Sequence, residues 1–73
     1  MSSSQSTAPT IQLDQFMKLS GMVGTGGQAK LVIQGGEVLL NGVIETRRKK
    51  KLKTGDEVTF NGRTIAVVFE DGP

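Results

Sequence analysis

The sequence predicts an α+β fold, with two short N-terminal helices packed on a small antiparallel sheet of hairpins. Three observations predict it. Apolar residues recur at helical spacing twice between residues 13 and 36. Two Asn-Gly pairs, Asn41-Gly42 and Asn61-Gly62, each join short runs of strand-forming residues, and Asn-Gly is the strongest two-residue hairpin signal because both positions tolerate positive φ. The helical patterns precede the strand patterns without alternating with them, the order of an α+β chain and not of a βαβ one.

The elements follow in order. Ile11 is a short strand or a packing anchor. Leu13, Phe16, Met17 and Ser20 then fall at i, i+3, i+4 and i+7, giving one inward face with Asp14, Gln15 and Lys18 outside it. Gly21 is a suitable helix stop. In Gly24-Thr25-Gly26-Gly27-Gln28, Thr25 with Gln28 three residues on is a capping-box pattern, so a second helix starts there. Its inward face is Ala29, Val32, Ile33 and Gly36, and Gly35-Gly36 stops it. Residues 37–40 and 43–46 form the first hairpin; residues 57–60 and 63–69 form the second, entered by the turn Thr54-Gly55-Asp56.

Composition narrows the function. Seventy-three residues with 36% hydrophobic content make one small domain with a modest core. The chain has no cysteine and no histidine, which removes disulfides, zinc fingers and Cys- or His-based catalysis and fits a cytoplasmic protein. Its aromatic residues are Phe16, Phe60 and Phe69, too few for a platform on which bases stack. No apolar run is long enough to cross a membrane. Residues 1–9 are polar and lack a signal-peptide core; they are expected to be a disordered lead-in to a domain spanning 10–70.

Charge is the most pointed feature. Arg47-Arg48-Lys49-Lys50-Lys51-Leu52-Lys53 holds six of the nine basic residues and no acid. Subtracting it from the net charge of +2 leaves −4 for everything else (+2 − 6 = −4). An acidic body with one concentrated positive patch points to a polyanionic partner. The run lies between the two hairpins, inside the folded span, with Leu52 as a core anchor. If it is extended, Arg47, Lys49, Lys51 and Lys53 face away from Leu52.

Other chemistries fit less well. Gly24-Thr25-Gly26-Gly27-Gln28-Ala29-Lys30 is glycine-rich, but it lacks the Gly-Lys-Ser/Thr ending of a phosphate loop and the spacing of a dinucleotide fingerprint. What it does offer is open backbone N–H groups at a helix start, with Lys30 close by, where phosphate oxygens are favoured. Asp56 and Glu57 are adjacent turn acids, a structural pattern more often than a catalytic pair, and no nucleophile–base constellation is visible.

The combined spacing resembles the RNA-binding domain of ribosomal protein S4, the αL motif. Thr25, Ala29-Lys30, Ile33, Gly36, Val38 and Leu40-Asn41-Gly42 match the family's second helix and the strand after it, and Gly55-Asp56 followed by Val58 matches its later Gly-Asp. The resemblance covers about Leu13 to Phe60. Gly-Gly-Gln-Ala-Lys and Glu45-Thr46-Arg47-Arg48 are similar to the stand-alone, YbcJ-like bacterial members, which implies a small non-catalytic RNA-binding protein. Where the family commonly has arginine after the Ser/Thr, this chain has Gly26, which shifts the burden toward Lys30 and the basic run. The expected RNA-binding residues are Thr25, Gly26, Gly27, Lys30, Arg47, Arg48, Lys49, Lys50, Lys51 and Lys53. The expected partner is structured RNA, ribosomal or transfer RNA above all, with the ribosome as a further candidate, bound by a monomer without cofactor or membrane contact. The competing readings are an adaptor that docks the basic run on an acidic protein surface, and a DNA binder.

Overall fold

The computed structural model describes residues 9–69. In chain order it contains β1 (Ile11–Gln12), α1 (Leu13–Leu19), α2 (Gly26–Gln34), β2 (Val38–Leu40), β3 (Val43–Ile44), β4 (Lys51–Leu52), β5 (Glu57–Phe60) and β6 (Arg63–Ala66). The expected lead-in lies outside the described residues except for Pro9, which is exposed. Among the described residues no helix is long and apolar enough to cross a membrane.

Each helix stops where its glycines allow. Past the Ser20 cap of α1, Gly21 takes φ 84°; past the Gly35 cap of α2, Gly36 takes φ 79°. That left-handed turn costs a Cβ-bearing residue and costs glycine little. The start of α2 differs in one detail from a standard capping box. Thr25 Oγ1 accepts from the Gln28 amide at 3.0 Å, but the Gln28 side chain reaches back to the Gly24 amide, also at 3.0 Å, one residue beyond the cap.

Both Asn-Gly pairs form tight two-residue turns. Asn41 and Gly42 have φ of 53° and 84°, and Asn61 and Gly62 have 54° and 78°, so both central residues are left-handed as a type I′ turn requires. The turns set the registers Leu40↔Val43 and Phe60↔Arg63. β2 also pairs with β5, so the four strands lie in the order β3-β2-β5-β6, all antiparallel. The outer strands are shorter than the sequence suggests. β3 ends at Ile44, where Glu45 makes one last ladder bond to the Val38 carbonyl, and β6 ends at Ala66, after which Val67 turns in to bond Asp56.

A second, two-stranded sheet was not expected. β1 pairs with β4 in the register Ile11↔Leu52 and Gln12↔Lys51, so it ties the basic run to the start of α1. The core lies where these layers meet. Leu13 and Met17 of α1, Ala29 and Ile33 of α2, Val38, Leu52 and Val58 are all fully buried. Leu52 is thus a core residue inside the most charged stretch of the chain. Truncating such a side chain costs about 2–5 kcal/mol, a large share of a small domain's stability. Asp14 departs from the helical pattern: it is buried, not on the outer face.

Candidate functional site

The basic segment is held through its backbone. The first amides of a helix have no backbone partner within it, and the Gln12 side chain makes no cap for α1. Instead the Leu13 amide donates to the Lys50 carbonyl and the Asp14 amide to the Arg48 carbonyl, both at 2.9 Å. These two bonds continue the β1–β4 pairing into the helix start, so residues 48–52 run beside residues 11–14. The Arg48 and Lys50 carbonyls are thus spent on the helix start.

The expectation of an extended segment holds only at Lys51–Leu52. Arg48 and Lys49 form a turn, closed by the Lys50 amide on the Arg47 carbonyl at 3.1 Å. The inside–outside division survives the turn. Arg47, Lys49, Lys51 and Lys53 are exposed, Arg48 and Lys50 are half-buried, and Leu52 is buried.

Acids from elsewhere in the chain enter this patch. Glu45 takes the Arg47 guanidinium side-on, with Nε donating to Oε2 at 2.8 Å and Nη2 to Oε1 at 3.2 Å. Arg48 Nη1 lies 3.5 Å from Asp14 Oδ2, and Lys53 Nζ lies 3.5 Å from Asp56 Oδ1. Among the described residues Lys49, Lys50 and Lys51 have no such partner. Two carboxyls are shifted. The Arg47 guanidinium holds Glu45 below the usual carboxylate range. The Lys53 amide, donating to Asp56 Oδ2 at 2.9 Å, does the same for Asp56 against the opposing effect of burial, with help from the Asn41 side chain.

Arg47, Lys50, Lys51 and Lys53 line one open groove of about 370 Å³, with Asn41 and Asp56 from the hairpin side and Glu45 at its edge. A groove this open, lined by four cations against two acids, suits a chain-like anion running through it better than an enclosed small molecule. Thr25, Gly26, Gly27 and Lys30 are not part of it. They lie at the exposed start of α2, where a Cβ built on Gly26 meets nothing within 4 Å and one on Gly27 meets only Thr25 Oγ1 at 3.9 Å. Nothing in the packing of the described residues calls for glycine at either position.

Sequence reasoning missed the acidic partners and Asn41. The signal for Glu45 and Asp56 was present, since each lies within three residues of the cation it meets. Asp14 and Arg48 are far apart in sequence, and only the β1–β4 pairing brings them together.

The comparisons with known proteins bear on the fold and the family. The family model described as "S4 domain" matches residues 5–68. The Escherichia coli protein YbcJ is 38% identical over 60 residues, covering 82% of this chain and 86% of that one. Its solution structure, described as revealing an αL motif involved in RNA binding, superposes with a TM-score of 0.65, covering 89% of this chain and 82% of that one. The Bacillus subtilis protein named "Probable ribosome maturation protein RlbA" is 42% identical over 52 residues, covering 71% of this chain and 73% of its own. Heat shock protein 15 of Vibrio cholerae shares the fold, with a TM-score of 0.73 at 21% identity over 86% of this chain and 67% of that one.

Proposed function

Because the chain belongs to the S4 domain family, we propose that it is a non-catalytic RNA-binding protein that grips the phosphate backbone of structured RNA. The observation that carries this reading is the basic segment with its carbonyls bonded to the start of α1. Arg47, Lys49, Lys51 and Lys53 are thereby displayed on a fixed backbone, and among the described residues Lys50 and Lys51 form no ion pair. Cations along an open groove bind a polyanion by releasing its counterions. The motif ascribed to YbcJ supports RNA as that polyanion, and the name of the Bacillus relative favours ribosomal over transfer RNA.

The start of α2 forms the second contact in this reading. Gly26 and Gly27 present no side chain of their own beside the Thr25–Gln28 cap, and Lys30 adds charge just past the first turn, so a phosphate can approach the backbone at the two glycines. Arg47 and Arg48 offer forked contacts; Lys49, Lys50, Lys51 and Lys53 act as point charges. Such contacts position an RNA without reading its sequence, so folded shape sets the preference. The protein acts as a cytoplasmic monomer, with residues 10–70 as the binding domain.

The test is binding to ribosomal and transfer RNA across a salt series. With about five phosphates neutralised, log affinity falls with log salt at a slope of roughly −3 to −5. Matched DNA duplexes serve as competitors. A protein that binds neither RNA, or that purifies only with an acidic protein partner and no nuclease-sensitive absorbance, overturns the reading in favour of the adaptor.

A further inference from the structure

Arg47 is more tightly constrained than any other cation of the patch. Its amide donates to Glu45 Oε2 at 3.1 Å, its carbonyl accepts from the Lys50 amide at 3.1 Å, and its guanidinium is held side-on by both Glu45 oxygens. Yet its side chain is 70% exposed while that of Glu45 is 13% exposed. Glu45 is itself fixed, because its amide makes the last ladder bond to Val38. A long side chain that would otherwise sample many rotamers is therefore aimed outward from a rigid base.

The chemistry of the guanidinium says what this leaves. Arginine presents two forks, one formed by Nε with Nη2 and one by the two Nη groups. Glu45 fills the first. The second has no acceptor among the described residues, on a side chain that is largely exposed and lines the groove with Lys50, Lys51 and Lys53. We infer that Glu45 is a positioning residue that sets Arg47 to make a forked, end-on contact with the two non-bridging oxygens of one RNA phosphate. Lys50 and Lys51 take the neighbouring phosphates as point charges. The inference rests on the RNA-binding reading and deepens it, because it divides the patch into one oriented contact and several diffuse ones.

An alternative role for Glu45 gives the opposite sign. If the patch works by charge alone, Glu45 is a competitor that repels phosphate and ties up Arg47, so removing its charge strengthens binding. If Glu45 orients Arg47, removing its charge weakens binding even though the protein becomes more positive. The fork also matters for Arg47, since lysine keeps the charge but has no planar pair of donors.

The experiment measures binding of the full chain to 16S ribosomal RNA and bulk transfer RNA at fixed salt, for the wild type, Glu45→Gln, Arg47→Lys and the double variant. Thermal melts verify that each is folded. The expected result is a loss of about tenfold in Arg47→Lys and about three- to tenfold in Glu45→Gln, of the size of a charge-assisted hydrogen bond. Glu45→Gln should cost nothing further in the Arg47→Lys background, because there is no fork left to orient. Unchanged binding by Arg47→Lys, or tighter binding by Glu45→Gln, overturns the inference and leaves the RNA reading intact. A wild type that binds neither RNA overturns both.

Discussion

Asn41 and Asp56, fifteen residues apart, hold each other across the tip of the first hairpin. Asn41 Nδ2 donates to Asp56 Oδ1 at 3.2 Å, and Asn41 Oδ1 accepts the Glu57 amide at 2.9 Å. The Asn41 amide in turn donates to the Glu57 carbonyl at 2.8 Å. Asn41 therefore serves twice, as the left-handed first residue of a type I′ turn and as a clamp between that turn and the start of β5. Replacing Asn41 by alanine removes both side-chain bonds and puts a Cβ-only residue at φ 53°. The expected cost is about 2–4 kcal/mol, from two hydrogen bonds and a left-handed backbone. Asn41→Gly recovers the backbone part alone, so a urea melt ranking wild type above glycine and glycine above alanine separates the two contributions.

Acid should loosen the same clamp. Asp56 is held below the ordinary carboxylate range by the Lys53 amide first, and by Asn41 after the opposing effect of burial. A carboxyl whose folded pKa is depressed contributes stability that is fully present above its unfolded value near 3.9 and is lost as pH falls through the folded one. Glu45, lowered by Arg47, acts with the same sign. Unfolding free energy measured by urea melts should be flat from neutral pH to about 5 and fall below about 4. Asp56→Asn should lower stability at neutral pH and flatten that acid limb. An unchanged acid limb in the variant would place the pH dependence elsewhere.

The fold was legible wherever a local rule acted alone. Thr25 with Gln28, the Gly35-Gly36 stop and the two Asn-Gly turns each depend on a few neighbouring residues, and each element they predict is present. Asp14 was misplaced for the complementary reason. Helical spacing put it outside, but the β1–β4 pairing lays Arg48 over it, and no local pattern encodes that register. The basic patch was legible as a cluster of charge, because clustering is a property of sequence. Its division into acid-paired and unpaired cations was not, because that depends on which carboxylates the fold brings within reach. Leu52 joined the two levels, since an apolar residue amid lysines has few places to go except the core.

The glycines at the start of α2 give a prediction in which stability and binding move in opposite directions. Neither Gly26 nor Gly27 has a positive φ, and a Cβ on either would meet nothing closer than 3.9 Å. Gly27→Ala should stabilise the domain by about 0.4–1 kcal/mol through the unfolded chain's lost freedom, a rise of a few degrees in the melting midpoint. If a phosphate lies against these amides, the same substitution weakens RNA binding. A stabilised variant with unchanged affinity would remove the helix start from the interface and leave the groove as the whole site.

The last prediction separates the lysines from the cations that already have partners. Lys49, Lys50 and Lys51 form no ion pair among the described residues, whereas Arg48 and Lys53 lie 3.5 Å from Asp14 and Asp56. An unpaired lysine that neutralises one phosphate contributes about one to the salt slope. Lys49→Gln, Lys50→Gln and Lys51→Gln should each reduce that slope by up to about one while leaving the melting midpoint nearly unchanged. Arg48→Gln and Lys53→Gln should reduce it less, since each cation is partly neutralised by its own carboxylate before RNA arrives. They should also lower stability slightly, by less than about 1 kcal/mol, because these pairs are partly open to solvent. Equal slope losses for all five would mean that RNA draws the paired cations away from their acids, and that the internal pairs do not tune the patch.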